Sequence, residues 1–157
     1  MYSELEHGTT FKVYLPRVTD HAVARTTAER VELPTGTETV LVVEDDADVR
    51  ALTRSILEAS GYTVLEAANG IEAIELCEQD SGPIDLLLTD AIMPHMNGRV
   101  LAERVTQCRP GVRVLFMSGY AEDHILPAHM ITELSFVQKP FTGYELTRKI
   151  RTILDTV

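Results

Sequence analysis

An aspartate stands at the end of the most apolar stretch of this chain. Three consecutive leucines lead to Thr89 and Asp90, and such a run is typical of a strand buried on both faces of a parallel sheet. An acidic side chain just beyond that strand lies at the carboxyl edge of the sheet, where open α/β folds bind their ligands. Taken alone, Asp90 could equally cap the turn before Pro94, so the residues that accompany it decide its chemistry.

Polar side chains also follow three other predicted strands. Glu44 and Asp45 follow the first strand, Ser118 the fourth and Lys139 the fifth. Carboxylates that converge repel one another unless a cation lies between them, and a small set of oxygen ligands favours Mg²⁺. Lys139 and Ser118 would neutralise and hydrogen-bond a tetrahedral dianion carried by Asp90. This combination predicts phosphoryl transfer, for which carboxylates are known nucleophiles.

The elements that position these side chains repeat five times from Thr39 onwards, each time a strand and then a helix. Short connections and strict alternation require parallel strands joined by right-handed crossovers. We therefore predict an α/β fold with a doubly wound five-stranded parallel sheet, order 2-1-3-4-5, and helices on both faces. The predicted strands are Val40–Val43, Tyr62–Glu66, Ile84–Thr89, Val112–Met117 and Leu134–Gln138.

Helices are predicted over Ala47–Ser60, after the caps Asn69 and Thr142, and from about Gly98 to Arg109. Pro127 makes the element over residues 121–130 short or irregular. Apolar residues at helical spacing are expected to face the core. They are Val49, Leu52, Ile56 and Leu57; Ile71, Ile74 and Cys77; Leu101, Val105 and Cys108; and Leu146, Ile150, Ile153 and Leu154.

The first 38 residues differ in character from the rest. Residues 11–15 alternate like a short strand that stops at Pro16. Residues 17–38 lack periodicity and large apolar side chains, which indicates a linker. We therefore divide the chain into a strand-bearing extension (1–16), a linker (17–38) and one domain (39–157).

Composition excludes several classes of function. The chain of 157 residues has a formal net charge of −10, which argues against nucleic-acid binding. It has no apolar run of membrane-spanning length and no signal-peptide core, so we expect a cytoplasmic protein without membrane contact from this chain. Two other classes stay open. A flavodoxin-like binding module would need a phosphate-cradling loop rich in Gly, Ser or Thr after the first strand, where this chain has the acidic residues Glu44, Asp45 and Asp46. A phosphatase with an aspartate nucleophile would use Asp46, with Asp48 two residues on, and would leave Asp90 without a role.

The sequence resembles the receiver domain of two-component response regulators over residues 39 to about 155. Four matching segments carry the resemblance, in order and at the spacing of the family. They are Leu41–Asp45, Asp90 with Met93–Pro94 and Met96–Gly98, Met117–Tyr120, and Phe136–Phe141.

The resemblance implies a flavodoxin-like receiver fold and a role for each residue of the site. Asp90 would accept a phosphoryl group from a phosphohistidine, and Ser118 and Lys139 would contact that group. Mg²⁺ would be bound by Glu44, Asp45, Asp90 and the backbone carbonyl of Ile92. Glu44 stands where many members carry aspartate, so its contact with the metal is expected to run through water.

The resemblance also implies a switch and partners. Phe136 would be the switch aromatic that packs inward when Ser118 moves toward the phosphate. The partner would be the phosphohistidine domain of a histidine kinase or a histidine phosphotransfer protein, and a homodimer is left open. The chain ends soon after the last helix, so output is expected through protein contacts at the fourth helix, fifth strand and fifth helix.

Residues 7–16 resemble something else, the end of the ATP-binding domain of a histidine kinase. This resemblance implies that the chain is the C-terminal part of a hybrid histidine kinase, with a stand-alone regulator as the alternative. Since the rest of the ATP site and the phosphorylatable histidine helix are missing from this chain, we expect no kinase activity from it.

Overall fold

The computed structural model of the protein describes residues 2–4, 8–10, 12, 14, 33–79, 82–119 and 136–156. The chain divides into two compact units, Met1–Val31 and Glu32–Val157. Throughout the described ranges, every helix is too short or too polar to cross a bilayer.

The first unit contains a two-stranded antiparallel sheet. Strand β1 (Tyr2–Glu4) pairs with β2 (Gly8–Thr10), with Tyr2 opposite Thr10 and Glu4 opposite Gly8. The strand predicted at residues 11–15 is wrong where it can be checked, because Lys12 and Tyr14 are exposed and lie outside any strand. A strand needs a neighbour for its backbone hydrogen bonds, and Tyr2–Glu4 offers that neighbour to the residues before Phe11.

The second unit contains a five-stranded parallel sheet. Its strand order is β4-β3-β5-β6-β7. When the strands of this sheet are numbered from one, starting at β3, this is the order 2-1-3-4-5, so the predicted order is confirmed. The strands are β3 (Thr39–Val43), β4 (Thr63–Ala67), β5 (Leu86–Asp90), β6 (Arg113–Ser118) and β7 (Phe136–Gln138), and the described helices are α1 (Ala47–Ala59), α2 (Gly70–Glu78), α3 (Gly98–Cys108) and α4 (Gly143–Asp155). The irregular element predicted over residues 121–130 lies outside the described residues.

Helices cover both faces of the sheet. Alternate residues of β3 point to opposite faces, so Val40 and Val42 join one apolar cluster and Leu41 and Val43 join the other. Buried residues of α1 and α4 pack in the first cluster, and those of α2 and α3 pack in the second. Because β3 and β5 are buried on both faces, they read as continuous apolar runs.

Side-chain caps set the start of each described helix. Asp46, Asn69, Asn97 and Thr142 each accept backbone N–H bonds from the first turn of the helix that follows. Thr142 forms a reciprocal capping box with Glu145 at the start of α4. The predicted helix caps Asn69 and Thr142 are therefore confirmed. Each lies where a loop from the carboxyl edge of the sheet enters the next helix.

Three residues predicted to face the core are exposed instead. Leu52 and Ile71 are 59% and 58% exposed, and Cys108 is also exposed. On α1 the buried positions are Thr53 and Leu57, so Leu52 lies about 100° away around the helix from the position that packs. Ile71 likewise lies about 100° around α2 from the buried Gly70. Cys108 is the last residue of α3, where the helix ends.

The six residues before β3 belong to the second unit and pack against the rest of it. Gly36 donates its N–H to the Ser60 carbonyl at 3.1 Å, and a Cβ at Gly36 would collide with the Tyr62 ring. The Glu38 carboxylate pairs with Arg151 on α4, 2.7 Å from Glu38 Oε1 to Arg151 Nη1. The end of the predicted linker is thus fixed to the domain that follows it.

Candidate active site

Four polar residues lie at the carboxyl edge of the sheet. Asp90 ends β5 and Ser118 ends β6, while Glu44 and Lys139 directly follow β3 and β7. In the strand register Asp90 lies opposite Met117, one residue before Ser118. All strands are parallel, so these four strand ends share one edge of the sheet.

Lys139 bridges two of the carboxylates. Its Nζ donates to Glu44 Oε2 at 2.6 Å and to Asp90 Oδ2 at 2.7 Å. The Glu44 side chain is 2% exposed, against 15% for Asp90 and 20% for Lys139. The site is therefore open to solvent on the Asp90 side and closed behind Glu44.

Burial and neighbouring charges shift the pKa values of Glu44 and Lys139. Burial raises the pKa of Glu44, and the charge of Asp90 adds to this, although the hydrogen bond and charge of Lys139 act in the opposite direction. Burial lowers the pKa of Lys139, but its hydrogen bonds to Asp90 and Glu44 and the charges of these two carboxylates together outweigh burial, so the pKa of Lys139 is raised above its ordinary value. The ammonium group is thus held in its charged form.

Glu44, Asp45 and Asp90 form a carboxylate cluster that fits a divalent cation. One ligand atom from each lies within 4.8 Å of the others. All three offer oxygen, and Asp45 is exposed, which leaves room for water ligands as Mg²⁺ requires. The donor set is that of an acidic pocket of the kind that binds hard divalent cations.

The loop after β5 holds the Asp90 carboxylate in place. Asp90 Oδ1 accepts the N–H of Ile92 at 3.0 Å. Gly98 donates its N–H to the Ala91 carbonyl at 3.1 Å, and a Cβ at Gly98 would collide with the carbonyl oxygen of Asp90. The start of α3 therefore packs directly against the backbone of Asp90, which explains glycine at this position.

Ser118 and Phe136 lie on the two strands beyond β5. Ser118 is buried, and its carbonyl accepts the N–H of Lys139 at 2.7 Å. Phe136 is half-buried and stacks on Phe116, with 5.4 Å between ring centroids and 30° between ring planes. The predicted switch pair therefore sits on neighbouring strands, with the aromatic ring packed on the second apolar cluster.

One residue of the site has no counterpart in the sequence analysis. Arg50 on α1 donates from Nη1 to the backbone carbonyl of Glu44 at 2.6 Å. The signal available in the sequence was its position six residues after Glu44, where a long side chain on the second turn of the helix can reach back to the strand end. Asp46, by contrast, has its Oδ1 occupied by the N–H groups of Asp48 and Val49.

The comparison with protein families matches residues 40–151 to the family described as the response regulator receiver domain. The chain belongs to this family. It is a receiver domain of two-component signal transduction, and the doubly wound fold and the acidic pocket at its carboxyl edge are those expected of such a domain.

Two curated proteins of Brucella abortus (strain 2308) are similar to this receiver domain. The sensor kinase CckA is 38% identical over 98% of this chain, which spans only 17% of that kinase's length. The response regulator receiver protein CpdR is 34% identical over 73% of this chain and 95% of its own length. Among solved structures, the receiver domain of the hybrid histidine kinase CckA has a TM-score of 0.63 and 34% identity, covering 74% of this chain and 99% of that one.

Proposed function

We propose that this receiver domain accepts a phosphoryl group on Asp90 from a phosphohistidine. A carboxylate oxygen of Asp90 attacks phosphorus in line with the phosphorus–nitrogen bond. The new oxygen–phosphorus bond forms while that bond breaks, and its electron pair leaves with the imidazole nitrogen. Hydrolysis of the resulting acyl phosphate by water returns Asp90 and releases inorganic phosphate.

Lys139 and Ser118 are proposed to hold the transferred group. The Lys139 ammonium, already 2.7 Å from Asp90 Oδ2, would follow the charge from the carboxylate to the phosphoryl oxygens. The Ser118 hydroxyl, at the same edge of the sheet, would donate a hydrogen bond to one of those oxygens. Movement of Ser118 toward the phosphate would then let the Phe136 ring pack inward, which is a switch by packing because phenylalanine has no hydroxyl.

Glu44, Asp45, Asp90 and the backbone carbonyl of Ile92 are the proposed holders of Mg²⁺. When bound, the ion would supply positive charge to the phosphoryl oxygens. Glu44 is engaged by Lys139 at 2.6 Å, which supports an indirect contact through water for this residue. Asp45 and Asp90 are the more exposed members of the cluster and the more accessible ligands.

The observation that carries the proposal is the Asp90 carboxylate itself, flanked by Lys139 and within 4.8 Å of two further carboxylates. The test is labelling by acetyl phosphate with Mg²⁺. Wild type and the control Asp48→Asn should be labelled, whereas Asp90→Asn should not. Equal labelling of Asp90→Asn and wild type would refute the assignment.

A further variant, Asp46→Asn, addresses the phosphatase alternative. In that class the nucleophile would be Asp46, with Asp48 two residues on. Asp46 Oδ1 accepts two backbone N–H bonds at the start of α1, which supports a capping role and leaves Asp90 as the better nucleophile. Loss of labelling in Asp46→Asn, with Asp90→Asn labelled like wild type, would favour the alternative.

We further propose that the chain is the C-terminal part of a hybrid histidine kinase, rather than a stand-alone regulator. The similarity to the sensor kinase extends over 98% of the chain, whereas that to CpdR covers 73%, and the extra similarity includes the first unit. The proposed partners are a phosphohistidine domain or a histidine phosphotransfer protein in the cytoplasm, with a second copy as a further candidate. This chain would have no kinase activity of its own, and stoichiometric nucleotide binding by calorimetry would refute that.

A further inference from the structure

Arg50 makes a contact that the proposed chemistry does not use. Its Nη1 donates to the backbone carbonyl of Glu44 at 2.6 Å, a short bond with a charged donor. That carbonyl belongs to the planar peptide that joins Glu44 to Asp45. The bond therefore fixes the direction of the peptide from which two members of the carboxylate cluster project.

Other contacts keep the Arg50 side chain in this position. Glu66 on β4 lies 3.9 Å from Arg50 Nε, and Arg54 holds Glu66 from the other side at 2.8 Å. The remaining backbone bond of Glu44, from its N–H to the Ala67 carbonyl, is longer at 3.3 Å. Arg50 thus makes the shorter of the two backbone bonds to Glu44.

We propose that Arg50 is a positioning residue that sets the affinity of the carboxylate cluster for a divalent cation, an inference that rests on the proposed function. Two effects of Arg50 oppose each other. Its positive charge disfavours a cation nearby, whereas its bond to the Glu44 carbonyl keeps the carboxylates in the geometry that the cation needs. Glu66 compensates part of the charge and leaves the geometry intact, so positioning outweighs repulsion.

A lysine and a methionine at position 50 separate the two effects. Arg50→Lys keeps the charge and loses the planar fork that is aimed at the carbonyl. Arg50→Met loses both. Outer residues that orient metal ligands typically change affinity about 10–100-fold, so both variants should raise the Kd for Mg²⁺ by about tenfold.

The control is Arg54, which shares Glu66 with Arg50, lies one turn further along α1 and donates to Glu58 and Glu66. Arg54→Lys and Arg54→Met should leave the Kd for Mg²⁺ within about twofold of wild type. Calorimetric titration with Mg²⁺ gives the affinity, and hydrogen exchange in EDTA gives the mobility of residues 44–46. In both Arg50 variants that exchange should be faster than in wild type, and the Mg²⁺ concentration for half-maximal phosphorylation should rise with the Kd.

The outcomes are distinguishable. An unchanged Kd in Arg50→Lys, or tighter binding in Arg50→Met, would overturn positioning and leave only a charge effect. If wild type binds Mg²⁺ and is labelled on Asp90 while the Arg50 variants titrate like wild type, this inference fails and the proposed function stands. If wild type neither binds Mg²⁺ nor is labelled, the proposed function fails. Urea unfolding of each variant shows that the titrated protein is folded, and Arg50→Lys carries the test should Arg50→Met not fold.

Discussion

Glu38→Gln should destabilise the receiver domain because Glu38 ties the segment before β3 to the last helix. Its carboxylate lies 2.7 Å from Arg151 Nη1, and the two side chains are 28% and 22% exposed. Fully exposed pairs contribute up to about 1 kcal/mol, and hydrogen bonds to charged groups about 1.5–3 kcal/mol. Glutamine keeps an acceptor, and Arg151 keeps its pair with Asp155 at 2.6 Å. We therefore expect a loss of about 1 kcal/mol, or about 3–6 °C in Tm for a domain of this size.

The effect should depend on pH. Burial by itself would raise the pKa of Glu38, but its hydrogen bond from Arg151, two backbone hydrogen bonds and the charge of Arg151 outweigh burial, so the pKa of Glu38 lies below its ordinary value of 4.5. A lowered pKa means that the unfolded chain binds the proton more tightly. The stabilisation is thus present in full above the unfolded pKa and is lost as pH falls through the folded one.

Urea unfolding of the full chain near pH 7 and at successively lower pH tests this directly. The gap between wild type and Glu38→Gln should shrink as the pH falls below about 4.5. The matched control is Glu58→Gln, which breaks an exposed pair with Arg54 on one helix and should cost less than about 0.5 kcal/mol. Equal stability of Glu38→Gln and wild type near pH 7, or a gap that widens on acidification, would refute the reasoning.

Three further predictions concern stability, and urea unfolding measures each. Thr142→Ala removes the half of the α4 capping box in which the Thr142 hydroxyl accepts the N–H of Glu145 and should cost about 1 kcal/mol; an unchanged midpoint would contradict this. Leu57→Ala should cost about 2–5 kcal/mol because Leu57 is fully buried, whereas Leu52→Ala should cost less than about 1 kcal/mol; similar losses would mean that Leu52 packs. His95 has φ 67°, where a side chain costs about 1–2 kcal/mol, so His95→Gly should be neutral or stabilising by up to about 1 kcal/mol, and a clear loss would argue against that strain.

The sheet could be predicted from the sequence because its signals are local. Continuous apolar runs such as Leu86–Leu88 are buried on both faces, and short connections leave few topologies for such strands. The strand order then brings Glu44 and Asp45 to the same edge as Asp90, as the structure has them. Among the described residues, predicted strand ends coincide with the observed ones or differ from them by one or two residues, which is the usual uncertainty of such boundaries.

Contacts that depend on the angular position of a helix or on long side chains could not be predicted. Leu52 and Ile71 are apolar but lie just outside the buried stripe, and residue type alone does not reveal an offset of that size. Lys139 reaches a carboxylate 95 residues away in the chain, and its bridging of Glu44 and Asp90 follows only from the packed geometry. The bond from Arg50 to the Glu44 carbonyl likewise involves a backbone atom, which leaves no mark in residue type.

The central claim is that Asp90 itself carries the phosphoryl group. The most direct measurement is reduction of the phosphorylated chain with borohydride, which converts an aspartyl phosphate to homoserine, followed by mass spectrometry of peptides. We predict homoserine in place of Asp90 in protein treated with phosphodonor and Mg²⁺, and unchanged aspartate at Asp45, Asp46 and Asp48. Homoserine at one of those three positions, with Asp90 recovered intact, would contradict the account.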